Sequence, residues 1–197
     1  MNQAIVELGA SLFARGFCVG SAGNISVRTD DGFLMTPTNS SLGRLEADSL
    51  SILDSNFRHI GGDRPTKEVV MHRACYEARP DAQAVVHLHS TFATALACLP
   101  DAELPPLTPY FVMRVGERLP VVPYFRPGDP AMEAAVREAC RRGRAVLLAN
   151  HGSLVAGSSL VDAVNVAEEL EETAHLALLL HDRDPRRLTP AQIAELT

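Results

Sequence analysis

The segment VVHLHSTFATALA, residues 85–97, sets two histidines one residue apart at the end of an apolar run, and then turns into a helical pattern. The run reads as a core strand. Alternate side chains of a strand share a face, so His87 and His89 point the same way, with Cα atoms about 7 Å apart. An imidazole is costly to bury unless its nitrogens find partners, so the fold must bring other groups to this strand tip. His151 is the natural third member. It follows the apolar run AVLLAN and precedes Gly152, at the junction of a strand end and a loop where sites are commonly built. Taken singly, each histidine reads as a satisfied core, surface or turn residue. Two on one face of an apolar strand with a third at another strand end reverse that preference. They match the three ligands of a catalytic zinc site with an open position.

The rest of the chain supplies the frame. Ile5, Leu8, Leu12 and Phe13 recur at helical spacing, and Gly16 stands where that helix would stop. The segment VGSAGNISVR is a glycine-rich turn entering an alternating strand. TDDGFLMT reads as a hairpin with Asp31-Gly32 at its corner. LSILD is a further strand, and His59 falls in a polar turn. PTKEVVMHRACYEARPD reads as a helix with Thr66 as N-cap and Pro80 at its end. AQAVVHLHS is a strand, and Ser90 caps the next helix, TFATALACL. YFVMRV and LPVVPY read as two strands. DPAMEAAVREACRRG is a helix with Pro130 in its first turn and Gly143 past its end. RAVLLAN is a buried strand. The longest helix runs from near Ser159 to about Asp182 and carries His175 and His181, and Thr189-Pro190 opens a short terminal helix. Hairpins together with strand–helix alternation predict one α/β domain, residues 1–197, with a mixed sheet and helices packed on it.

Glu68 is the candidate acid. A carboxylate in the first turn of a helix is electrostatically favoured, so it also reads as a plain helix-start residue. His72 lies one turn on, and Glu68 with His72 forms a competing ligand pair, ranked below His87 and His89. His72 otherwise packs or faces solvent. The glycines of GSAGNIS let backbone N–H groups approach an oxyanion, although a bare turn explains them equally well. The stretch lacks the G-x-G-x-x-G spacing of a dinucleotide site. TPTNSSLG adds hydroxyl and amide donors, and Thr66 and Lys67 sit at a helix N-terminus, a natural anion position.

Composition narrows the partners. A net charge of −6 with scattered basic residues argues against nucleic acid. No stretch has the apolar length of a membrane span, and the N-terminus, with Glu7 and no cationic start, does not read as a signal peptide. The 4 cysteines have no C-x-x-C spacing and read as reduced thiols of a cytoplasmic protein.

In this order, the GN-I-S turn, the T-P-T loop, the T-K-E helix start, H-x-H and the later H-G resemble the class II aldolase/adducin family over nearly the whole chain. The resemblance implies a mixed, largely antiparallel sheet between helices and a four-fold homotetramer. It implies one Zn2+ per subunit on His87, His89 and His151, with manganese or cobalt as the alternative ion, and Glu68 as acid/base and a metal contact when substrate is absent. Asn24, Thr38, Asn39, Thr66 and Lys67 would face a phosphate or carboxylate, and Tyr110 falls near a tyrosine position of the fuculose-phosphate enzymes. Three finer features, MTPTNSSLGRL, GDRPTKE and LPPLTPYFVMRVG, are similar to the branch that decarboxylates 3-oxo-tetronate 4-phosphates. That branch implies release of CO2 and dihydroxyacetone phosphate through a metal-stabilised enediolate, in four-carbon sugar-acid catabolism. A class II sugar-phosphate aldolase, an epimerase or dehydratase on the same scaffold, and an adducin-like interaction module that keeps only the shape are the alternatives.

Overall fold

The computed structural model describes residues 1–126, 129 and 131–196. Helix α1 (Asn2–Ala14) buries Ile5 and Leu12 and stops where Gly16 takes φ 80°. Strands β1 (Asn24–Thr29) and β2 (Gly32–Met35) form the expected hairpin, with one correction to its corner. Thr29 pairs with Gly32, so the loop is Asp30-Asp31 and Gly32 opens the return strand. A Cβ at Gly32 would lie 2.1 Å from the carbonyl oxygen of Leu53 on the neighbouring strand β3 (Ser51–Asp54), which explains the glycine. His59 is not in a turn: it begins the short edge strand β4 (His59–Gly61).

Helix α2 (Val69–Ala78) starts later than the Pro65-Thr66 signal predicts. Thr66 Oγ1 accepts from the Glu68 N–H at 3.3 Å, so a turn precedes the helix and Glu68 stands at the N-cap instead of in the first turn. Strand β5 (Ala84–Leu88) follows, then α3 (Thr91–Ala97). Ser90 sits at the N-cap of α3 without capping it through its side chain.

YFVMRV is a helix, α4 (Pro109–Arg114), and not a strand. Thr108 Oγ1 accepts from the Phe111 N–H, and Pro109 fixes the first turn. Phe111, Val112 and Val115 are buried while Tyr110 and Met113 are exposed, a helical spacing that β-favouring side chains disguise. The remaining elements are β6 (Val121–Val122), α5 (Ala131–Arg142), β7 (Ala145–Leu148), β8 (Gly152–Gly157), α6 (Leu160–Leu179) and α7 (Pro190–Ala194). Pro130, expected in the first turn of α5, lies outside the described residues. The long helix ends at Leu179, so His181 is beyond it, with Nδ1 on the Leu178 carbonyl.

The strands form one eight-stranded sheet in the order β4-β3-β2-β1-β5-β8-β7-β6, antiparallel throughout except for β6 with β7. Period-two alternation divides the core between its faces. Ile25, Val86, Leu88 and Val155 pack under α1, α3, α4 and α6, whereas Phe33, Val85, Leu154 and Ala156 pack under α2 and α5. The central strand β5 is buried at every position, which places the two histidines at the middle of the sheet. The cysteines are unpaired, and no helix of the described residues is long and apolar enough to cross a membrane.

Candidate metal centre

Four segments meet at one end of the sheet. They are the end of β5 with His87 and His89, the β7–β8 connection with His151, the N-cap of α2 with Glu68, and the start of β1 with Asn24. Register carries part of this, because Asn24 lies opposite His87 across β1 and β5. A tight connection carries the rest. Asn150 takes a left-handed φ of 57° and donates its N–H to the Ala97 carbonyl at 3.0 Å, which turns His151 back toward the sheet end.

His87 is fully buried, and its Nδ1 donates to the Ser153 carbonyl at 2.7 Å. A carbonyl only accepts, so the proton is on Nδ1 and Nε2 presents a lone pair. That lone pair faces His89 Nε2 at 2.9 Å and Glu68 Oε2 at 3.4 Å, while His151 Nε2 lies 3.2 Å from Glu68 Oε1. One ligand atom from each of the four residues falls within 4.8 Å of all the others. The neutral His87 Nε2 cannot donate to either neighbour. A shared divalent cation satisfies all four donors at once, and three imidazoles with a carboxylate are a donor set suited to it.

The electrostatics agree. Burial works to raise the Glu68 pKa, but hydrogen bonds from His151 and Asn24, with the charge that His87 takes on only in acid, outweigh it and hold the carboxyl well below the usual carboxylate range. Burial pushes His87 down to about 4, and burial and the charge of His151 push His89 down as well. His87 is therefore neutral at pH 7, the form that binds a metal.

Of the alternatives open for His72, the packed one holds. It neither faces solvent nor joins Glu68 as a ligand pair. It is fully buried, with Nε2 2.5 Å from Asn24 Oδ1 and Nδ1 2.7 Å from Ser26 Oγ, so both ring nitrogens are occupied.

The histidine–glutamate cluster opens on a cleft of about 570 Å³. Asn24, Thr38, Asn39, Thr66 and Lys67 all line it, together with Glu68, His89 and His151, while His87 lies behind them. Asn39 has φ 59°, the left-handed backbone that suits an asparagine or glycine in this loop. Among the described residues of the cleft, Lys67 is the one lysine or arginine. Tyr110 is not brought to the site: it is 60% exposed on α4, beside Arg114. Sequence reasoning missed the opposite wall, formed by Val122, Tyr124, Phe125, Met132 and Leu148. The one signal for it was the strand reading of LPVVPY, whose proline-flanked end delivers Tyr124 and Phe125 to the cleft.

Residues 3–178 match the family described as Class II Aldolase and Adducin N-terminal domain. A 3-oxo-tetronate 4-phosphate decarboxylase of Haemophilus influenzae is 49% identical over 200 residues, spanning 99% of this chain and 95% of its own. The L-fuculose phosphate aldolase of Escherichia coli K12 is 33% identical over 178 residues, spanning 90% of this chain and 82% of its own. The crystal structure of YgbL from Klebsiella pneumoniae superimposes with a TM-score of 0.94 at 48% identity, over 100% of this chain and 97% of that one. The motif order, the sheet and the histidine–glutamate cluster thus converge with direct similarity, and the chain belongs to the class II aldolase/adducin family.

Proposed function

We propose that this protein is a zinc-dependent carboxy-lyase that converts a 3-oxo-tetronate 4-phosphate to dihydroxyacetone phosphate and CO2. The observation that carries the reading is the convergence of Glu68, His87, His89 and His151 at the base of a cleft edged by hydroxyl, amide and ammonium donors. Similarity supports the choice of leaving group: 49% identity to a named decarboxylase against 33% to a named aldolase.

In the reaction the C1–C2 bond breaks, the electron pair passes toward the C3 carbonyl, and a proton is added at C2. Zinc, when bound, supplies the Lewis acid that makes the carbonyl a sink for that pair. His87, His89 and His151 would hold the ion beside the cleft. Glu68 completes the set when the cleft is empty. Displaced by substrate, it loses the contacts to His87 and His151 that depress its pKa, and its proton affinity rises in the direction a proton donor to C2 needs. Asn24, Thr38, Asn39 and Thr66 donate to the phosphate. Lys67 supplies an ammonium for the phosphate or the carboxylate. Residues 1–197 form one domain of a cytoplasmic homotetramer in this reading, and light scattering tests the assembly.

The deciding experiment is product analysis with 3-oxo-tetronate 4-phosphate, with and without a chelator. CO2 and dihydroxyacetone phosphate should appear only with metal, and turnover that survives complete metal removal would sink the reading. Condensation of dihydroxyacetone phosphate with short aldehydes at a comparable rate would mark an aldolase instead.

A further inference from the structure

A buried line of hydrogen bonds runs from the α2 side of the core to the cleft. Tyr76 donates its hydroxyl to the Ser26 carbonyl at 3.0 Å, and Ser26 Oγ lies 2.7 Å from His72 Nδ1. His72 Nε2 lies 2.5 Å from Asn24 Oδ1, and Asn24 Nδ2 donates to Glu68 Oε2 at 2.6 Å. Ser26 and His72 are 0% exposed, Tyr76 3% and Asn24 5%. No water is needed to satisfy any member, and the chemistry of the two ends fixes every donor between them.

The ionised carboxylate of Glu68 only accepts, so Asn24 turns its NH2 edge to it and its oxygen to His72. That oxygen cannot donate, so His72 carries its proton on Nε2. A neutral imidazole has one N–H, so Nδ1 accepts, and the Ser26 hydroxyl donates to it. We propose that His72 is a positioning residue of this site: its Nε2–H tautomer locks the Asn24 carboxamide with donors toward the cleft. With the proton on Nδ1, His72 would need a donor from Asn24. The flipped amide would then set its oxygen against the Glu68 carboxylate and against any incoming phosphate or carboxylate of a substrate. The line orients and does not relay, because a carboxamide does not pass a proton from one edge to the other. Ser26 and Tyr76 act on the site only through the ring.

The catalytic consequence rests on the decarboxylase reading, while the tautomer does not, and the test separates the two. Long-range 1H–15N correlation spectra of the full chain labelled at histidine report the ring directly, with the His72 signals assigned by their loss in His72→Gln. The expected pattern is a pyrrole-type Nε2 and a pyridine-type Nδ1 in both zinc-free and zinc-loaded protein. In steady-state assays His72→Phe, which keeps the ring volume and removes both polar contacts, should lower kcat/KM by about 10- to 100-fold. His72→Gln, which keeps a donor toward Asn24, should recover all but about fivefold of it, although both variants lose thermal stability. A proton on Nδ1 in the wild-type spectrum overturns the inference. So does His72→Phe with kcat/KM within twofold of wild type, or His72→Gln no better than His72→Phe. Wild-type protein that never turns over the tetronate sinks the functional reading instead, and the tautomer then decides the inference alone.

Discussion

His87 on β5 is oriented by the backbone of β8: its Nδ1 donates to the Ser153 carbonyl, 2.7 Å away. The free lone pair of the most buried member of the histidine–glutamate cluster is thus set by strand pairing and not by another side chain. Anything that parts the first residues of β8 from β5 should therefore disturb the metal centre. Gly152 is the sensitive point. A Cβ there would lie 2.3 Å from the Leu88 carbonyl oxygen and 3.2 Å from His89 Cδ2. Gly152→Ala is expected to destabilise the fold by about 2–4 kcal/mol and to weaken zinc binding at least about tenfold. Denaturant unfolding and competition with a chromophoric chelator measure the two effects. Unchanged zinc affinity in a folded variant would show that the β8 backbone does not set the ligand.

Lys67 is the one lysine or arginine among the described cleft residues, and the substrate proposed above carries both a phosphate and a carboxylate. Lys67 directly precedes the N-cap of α2, and an anionic substrate group in the cleft would compensate a cation placed near a helix N-terminus. Lys67→Ser is expected to lower kcat/KM for the tetronate by about 10- to 1,000-fold, the loss of one charge-assisted contact of roughly 1.5–4 kcal/mol. Fold stability should be unaffected, because the side chain is exposed. Steady-state kinetics check this, and unchanged decarboxylation would assign Lys67 to solvent.

Sequence patterning revealed what is repeated and local. The alternating strand β1, the return strand β2, the apolar run of β5 with its H-x-H tip and the start of the long helix α6 all form where the sequence places them. Three of the cleft donors, Thr38, Asn39 and Thr66, stand in loops whose composition pointed to them, and Asn24 opens β1 directly after the glycine-rich turn. What patterning could not show depends on distant partners. YFVMRV is rich in β-favouring residues, yet the Thr108 cap and Pro109 commit it to a helix that buries Phe111 under α6. His72 looked like an ordinary helix residue because its partners Asn24 and Ser26 come from β1, more than forty positions earlier. Within one chain Tyr110 does not line the cleft, because α4 carries it exposed on the surface.

Ser90 illustrates the same point and yields a further expectation. It stands where a cap belongs, but the carboxylate of Glu171 on α6 performs the capping. Glu171 accepts from the Phe92 and Ala93 N–H groups at 2.9 and 2.8 Å, and from Ser90 Oγ at 2.7 Å. A negative group at a helix N-terminus is stabilising, and here it also pins the turn directly after His89. Glu171→Gln keeps the shape but loses the charge and one acceptor, and should cost about 1–3 kcal/mol. Thermal unfolding of the zinc-free protein gives the stability term. A second effect on zinc affinity is expected because His89 is adjacent. A variant as stable as wild type would show that Glu171 is dispensable to α3.

Acidification should destabilise the zinc-free protein well above the carboxylate range. Burial lowers the folded-state pKa of His72 to about 3 and that of His87 to about 4, against 6.5 for an unperturbed imidazole. Between these limits the unfolded chain binds more protons than the folded one, so stability rises with pH. It is fully present above about 6.5 and is lost as pH falls toward 4 and then 3. Each of the two histidines contributes a slope of up to about 1.4 kcal/mol per pH unit. Glu68, whose pKa is also depressed on folding, adds a loss of the same sign below its ordinary value of 4.5. Urea unfolding in the presence of a chelator at pH 7, 6 and 5 should therefore show a steep and growing fall in the transition midpoint. His72→Gln should make the slope between pH 6 and 5 shallower, since one of the depressed rings is gone while His87 and His89 remain. A midpoint that holds constant from pH 7 to 5 would mean that these rings are protonated in the folded state. They would then face solvent, and the buried arrangement that presents His87 to a metal would be wrong.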